Sequence, residues 1–153
     1  MEHRAIEEVN SPGQLLTVKA LLEEYWNSLG FDRGTFSFGE ELDSLPGAYV
    51  RPHGRLAMAI VSGEAVGCIA LRQFDVHSCE MKRLFVRPSA RGRGIAQNLL
   101  EWLVSEARSE GYSMMLADTC RGWERLSIST NDLDLSGLNL TRRRPHRAPF
   151  IYT

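Results

Sequence analysis

The stretch "VRPSARGRGIAQNLLEWL", from Val86 to Leu103, limits the possible folds of this chain more than any other. A strand candidate, "SCEMKRLFV", ends at Arg87-Pro88, because proline cannot extend a strand ladder and restricts the residue before it. Arg91, Gly92, Arg93 and Gly94 follow, and then Ile95, Leu99, Leu103 and Ala107 recur at four-residue spacing. That spacing predicts a helix over Gly94–Glu110, closed by Gly111, with "YSMMLAD" as the next strand. A strand that passes through a glycine turn into a helix leaves N–H groups unpaired at the helix start, where the peptide dipoles favour negative charge. Gly92 and Gly94 allow close backbone approach, and Arg91 and Arg93 add guanidinium forks suited to phosphate oxygens. The alternative is a solvated basic turn before an ordinary helix. Two familiar phosphate loops are excluded: no Lys-Ser or Lys-Thr occurs, and Gln97 stands where a dinucleotide turn needs its third glycine.

Upstream, the hydrophobic period changes several times. "RAIEEV" reads as a short strand, and Ser11-Pro12-Gly13-Gln14 as a capping box with proline at the first helical position. Leu15, Val18, Leu22, Tyr25, Trp26 and Leu29 then mark one face of a helix ending at Gly30. "SFGEELDSLPG" is a shorter helix stopped by Pro46-Gly47. "RLAMAIV", the turn Ser62-Gly63-Glu64 and "AVGCIALRQF" form an antiparallel hairpin. The order is β, α, α, antiparallel β, then a β-loop-α-β crossover. Trp26, Phe31, Phe36 and Phe38 are either core or the lining of a pocket.

Composition narrows the function. With 153 residues, 43% apolar and 24% charged, the chain fits one globular domain over residues 1–153. A net charge of -1 gives no general attraction to nucleic acid or membrane, and no run approaches the ~20 apolar residues of a membrane span. "MEHRAIEEVN" has no apolar signal core, so a cytoplasmic protein is expected. Cys68, Cys79 and Cys120 are odd in number and form no C-x-x-C pair, which indicates buried free thiols rather than disulfides or a metal site.

Read as R-x-x-G-x-A after "CEMKRLFVRPSA", the loop resembles motif A of the GNAT superfamily of N-acetyltransferases. The first helix, the "GEAVGCIAL" strand, "EMKRLFV" and "EARSEGYSMMLADT" follow that superfamily's order, so the resemblance covers about residues 4–119. It implies an α/β (α+β) fold, with flanking helices on a mixed, mostly antiparallel sheet whose central strands splay around acetyl-CoA. The backbone of Arg91, Gly92, Arg93, Gly94, Ile95 and Ala96 would hold the coenzyme pyrophosphate, and Leu84, Phe85 and Val86 would pair with its pantetheine arm. The implied reaction is direct attack on the thioester by an amine of a small molecule or peptide, without a metal, in a monomer or homodimer. It requires a proton acceptor, an oxyanion donor and an acid for the thiolate. Glu80 stands where some members carry a glutamate base, and the N–H near Phe85 or Val86 would serve the oxyanion. The alternative for Glu80 is an ion pair with Lys82 or Arg72 on the sheet surface; His53 and His77 are weaker candidates for the base.

The segment 120–153 departs from the resemblance, which expects a helix carrying Tyr-x-x-x-Gly-Phe, whose tyrosine protonates the thiolate, and two further strands. Of the chain's 18 basic and 19 acidic residues, 6 and 3 fall in 121–153, so net charge changes from -4 over 1–120 to +3. Regrouping the codons of Cys120 to Thr141 by one base, with permitted codon choices, spells "LPRMGTAQHFYERFGLERFKPY", the helix that the resemblance expects. The expectation is a slip of reading frame near Thr119, readable in the DNA. Its consequence would be a chain of marginal stability, or one associating through exposed sheet, and the second functional reading is an acyl-CoA-binding remnant with impaired catalysis.

Overall fold

A computed structural model of the chain describes residues 2–30, 38–118 and 125–131. Phe31, Phe36, Cys120 and the segment beyond Asn131 lie outside the described residues. Among the described residues, six strands form one sheet in chain order: β1 (Arg4–Glu8), β2 (Arg55–Val61), β3 (Glu64–Gln73), β4 (Ser78–Val86), β5 (Met114–Asp118) and β6 (Arg125–Ser129). Every pairing is antiparallel except β4 with β5, which are joined by the crossover helix α3 (Ile95–Glu110). Helices α1 (Pro12–Ser28) and α2 (Phe38–Ser44) precede β2.

The sheet is buried on both faces, and strand alternation sorts its residues between them. Ala57, Ala59, Ile69, Leu71, Cys79, Val86 and Met115 face α3, which contributes Ile95, Leu99, Leu100, Leu103, Val104 and Ala107. Leu56, Met58, Cys68, Ala70 and Phe85 face the other way, toward Val18, Leu21, Leu22 and Trp26 of α1 and Phe38 and Leu42 of α2. Leu21 therefore belongs to the buried face of α1, whereas Leu29 is 39% exposed, the helix having ended one residue earlier. The capping box forms: the Ser11 hydroxyl accepts from Gln14 N–H at 3.3 Å, and Gln14 Oε1 accepts from Asn10 N–H at 2.9 Å.

Three local features depart from the sequence reading. The β2–β3 turn is two residues, Ser62 and Gly63, both at positive φ, so Glu64 already pairs with Val61. In β4, the register passes from Cys68↔Phe85 to Ala70↔Lys82, a bulge at which Arg83 adopts φ +60°. β6 lies against the edge of β5 from Met114↔Ser129 to Asp118↔Arg125, so a strand covers sheet that the departure from family pattern was expected to expose. No helix among the described residues is long and apolar enough to cross a membrane.

One ion-pair cluster ties α3 to the sheet. Arg55, 2% exposed at the start of β2, bonds Glu106 at 2.9 Å, Glu110 at 3.2 Å and the carbonyls of Pro52 and Gly54 at 2.8 Å. Breaking such a buried network removes about 3 kcal/mol or more, because it strands charges away from water. Arg55 thus fixes the helix whose other end carries the glycine turn.

Candidate active site

The glycine turn has the geometry expected of an anion cradle. Gly92 and Gly94 adopt φ +75° and +77°, conformations that would cost a side-chain-bearing residue about 1–2 kcal/mol each. A Cβ at either would meet nothing within 4 Å, so the space above the turn is open. The first helical bond of α3 runs from Asn98 N–H to Gly94 O at 3.0 Å. The N–H groups of Ile95, Ala96 and Gln97 consequently have no helical acceptor.

The arginines of the turn are engaged otherwise than the sequence suggested. Arg91 Nε donates to Val86 O at 2.9 Å, folding its side chain back onto the end of β4. Arg93 pairs with Glu2, while Arg4 donates to Arg93 O at 2.6 Å and also pairs with Glu2. Both guanidiniums brace the turn, while Arg91, Gly92, Arg93 and Gly94 are all exposed.

Beside the turn the sheet opens. β4 and β5 pair only from Ser78↔Met114 to Met81↔Ala117, so the edge of Lys82–Val86 has no strand partner among the described residues. Arg87 N–H bonds Val66 O at 2.8 Å, and alternation along an antiparallel ladder turns the amide of Val86 away from β3 into the gap. The side chains along this edge are committed to packing: Leu84 is half-buried against the α3 core, Val86 lies within that core, and Phe85 stacks on Tyr25 with centroids 5.3 Å apart. What this edge offers a ligand is its main chain.

Glu80 stands one residue before the strands part, on the α1–α2 face, and is 4% exposed. Arg72, its cross-strand partner, donates from Nε to Glu80 Oε2 at 2.6 Å, and Lys82 Nζ lies 3.9 Å from the same oxygen. The ion pair weighed for Glu80 therefore exists, inside the fold rather than on the sheet surface. The histidines lie elsewhere: His53 sits 3.8 Å from Glu110 beside the end of α3, and His77 is exposed in the β3–β4 turn.

A cavity of about 240 Å³ opens on the same face, lined by Glu41, Tyr49, Arg72 and Arg83 with the 44–48 turn. Arg83, aimed here by the bulge, forks onto Glu41 at 2.7 and 2.5 Å and lies 4.8 Å above the Trp26 ring. Burial alone would lower the Arg83 pKa, but hydrogen bonding to Glu41 and nearby negative charge hold it above its ordinary value. Tyr49 donates to Glu41 at 3.1 Å; burial, with Glu41 adding to it, pushes its phenol to about 12. Burial also pushes the Cys68 and Cys79 thiols to about 12, in keeping with the reading of buried free cysteines. Trp26 and Phe38 stack with centroids 3.7 Å apart in the core. The Glu41–Arg83–Tyr49 group was not legible beforehand, since its members are up to 42 residues apart in sequence.

Comparison with known proteins agrees with this geometry. The sequence model of the acetyltransferase (GNAT) family matches residues 18–125. An uncharacterised N-acetyltransferase of Schizosaccharomyces pombe is 35% identical over 117 residues, 75% of this chain and 72% of the relative. The aminoalkylphosphonate N-acetyltransferase of Salmonella typhimurium is 38% identical over 65 residues, 39% of this chain and 42% of that protein. The crystal structure of an aminoglycoside 6'-N-acetyltransferase complexed with coenzyme A superposes with a TM-score of 0.60 at 23% identity, covering 77% of this chain and 64% of that one. The chain belongs to the GNAT family of acetyltransferases.

Proposed function

We propose that this chain transfers the acetyl group of acetyl-CoA to an amine of a small molecule or peptide by direct attack. The observation that carries this reading is the adjacency of three features: an open backbone turn at a helix start, a strand edge with no pairing partner, and a buried carboxylate at the mouth of the gap. The coenzyme supplies a thioester. The unpaired N–H groups of Ile95, Ala96 and Gln97 and the backbone of Arg91–Gly94 hold its pyrophosphate. The edge from Leu84 to Val86 pairs with the pantetheine arm, and the Val86 N–H serves the carbonyl oxygen as negative charge develops there. Glu80 takes a proton from the acceptor ammonium, directly or through a water, which frees the nitrogen lone pair for attack. As the N–C bond forms and the C–S bond breaks, coenzyme A leaves as the thiolate and is protonated from solvent, which also takes up the second proton of the nitrogen. The relative acting on aminoalkylphosphonates and the structural neighbour named for aminoglycosides both support a small-molecule acceptor.

The test is free-thiol release from acetyl-CoA with and without amines, for the natural chain and Glu80→Gln. Amine-dependent release is expected, with kcat in Glu80→Gln lower by about 100-fold and coenzyme affinity unchanged. Thiol release independent of every amine, or unaltered in the variant, would overturn the reading.

A further inference from the structure

Three places on the molecule compete for a ligand beyond the coenzyme. A second cavity, of about 310 Å³, lies between β1 and α3 and is lined by Arg4, Ala5, Ile6, Asn98, Glu101 and Trp102. Its one cation there, Arg4, is already bonded to Glu2 and Arg93 O, and nothing else distinguishes it. The Arg55 cluster is closed on itself by Glu106 and Glu110. The α2-side cavity differs, because one of its charges is incompletely used.

Two guanidiniums and one carboxylate line that cavity, and they are not equivalent. Arg83 is 15% exposed at its side chain and spends both its Nε and Nη2 on Glu41, which also receives the Tyr49 hydroxyl. Glu41 is thereby neutralised within the wall. Arg72 is 45% exposed at its side chain and uses only Nε, on Glu80 Oε2. Its two Nη groups have no hydrogen-bond partner among the described residues, and Arg72 lines the open cavity. A guanidinium presenting paired donors to a small cavity is a receptor for a planar or tetrahedral oxyanion.

We infer that Arg72 is the specificity-determining residue of the acceptor site, and that the acceptor is a small amine carrying its own oxyanion, a carboxylate or a phosphonate, a short linker away from the nitrogen. This rests on the acetyltransferase reading above. The linker is short because one side chain touches both ends: Arg72 Nε is 2.6 Å from the carboxylate proposed to receive the ammonium proton, while its Nη groups receive the anion. An acceptor with amine and anion in that relation presents its ammonium to Glu80 and its oxyanion to Arg72, satisfying both charges at once. A polyamine brings a second cation toward Arg72, which is repulsive.

The experiment is titration calorimetry on coenzyme A-saturated protein with β-alanine, 2-aminoethylphosphonate, propylamine and spermidine, in the natural chain, Arg72→Gln and Arg72→Lys. At least one anionic amine is expected to bind about tenfold or more tighter than propylamine, and spermidine no tighter than propylamine. The stronger of the two anionic amines identifies carboxylate or phosphonate as the group recognised. Arg72→Gln is expected to remove that advantage, so that the anionic amines bind no tighter than propylamine does to the same variant, and Arg72→Lys to restore part of it. Equal affinity for propylamine, tighter binding of spermidine, or a uniform loss across all four ligands in Arg72→Gln would overturn the inference. A parallel coenzyme A titration separates the two claims: anion discrimination without coenzyme binding sinks the acetyltransferase reading, whereas coenzyme binding without discrimination sinks only this inference.

Discussion

The two halves of the site are built from different materials. On the coenzyme side, the contacts offered are backbone: the turn glycines at φ +75° and +77°, the unpaired N–H groups at the start of α3, and the unpaired edge of β4. On the side proposed for the acceptor they are charged side chains from distant elements: Glu41 of α2, Arg72 of β3, and Glu80 and Arg83 of β4. A backbone site depends on local sequence, because strand, glycine turn and helix are contiguous. A side-chain site depends on register, because Arg72 meets Glu80 only through the pairing of β3 with β4. The first tolerates change in the side chains around it.

Predictions can break this division or sharpen it. The largest effect concerns Glu80: the Gln variant should lose about 100-fold in kcat with coenzyme affinity intact, read by thiol release and calorimetry together. A loss of coenzyme affinity of the same size would mean that the halves are not separable. Next is Arg72→Gln, whose tenfold or greater effect on anionic amines should leave the coenzyme half untouched, as the calorimetry above reads. Arg55→Met tests the support for the coenzyme half from the far end of α3. It should lower unfolding free energy by about 3 kcal/mol in denaturant titration, through loss of the buried guanidinium's bonds to Glu106, Glu110 and the carbonyls of Pro52 and Gly54. A stability unchanged within error would show that α3 is held by its apolar face alone.

The smallest effect is on pH. Cys68 and Cys79, ordinarily at 9.0, and Tyr49, ordinarily at 10.0, are all pushed to about 12 by burial. Above pH 9 the unfolded chain releases these protons and the folded chain keeps them, so the unfolded state binds fewer protons. Stability should therefore be at its full value below pH 9 and fall as pH rises toward 12, by about 1 kcal/mol per pH unit or more. The same shift makes both thiols unreactive: a disulfide reagent at pH 8 should label neither until the protein unfolds. Rapid labelling of Cys68 in the folded state would contradict its burial.

The legibility of the sequence follows the same division. "SCEMKRLFV" matches β4 residue for residue, and Gly94 and Gly111 mark the two ends of α3, because proline and glycine act locally. The Ser62-Gly63 turn was read one residue too long, since Glu64 carries no local sign that it pairs. Arg91 and Arg93 were read as anion ligands, and the partners that claim them, Val86 O and Glu2, come from tertiary structure. Glu80 was legible only through the family pattern; its burial and its bond to Arg72 depend on which face of β4 it occupies. The cavity proposed for the acceptor was not legible at all, because Glu41 and Arg83 become neighbours only after the bulge turns Arg83 toward α2.

The central claim is that an open backbone turn and an unpaired strand edge seat acetyl-CoA. Its most direct test is calorimetric titration of acetyl-CoA into the natural chain and into a Gly92→Ala/Gly94→Ala variant, with thermal melts to confirm that both are folded. One-to-one binding is predicted for the natural chain, with affinity at least about tenfold weaker in the variant, as two left-handed positions acquire a Cβ. A folded natural chain that takes up no acetyl-CoA, or equal affinity in a folded variant, would contradict the account.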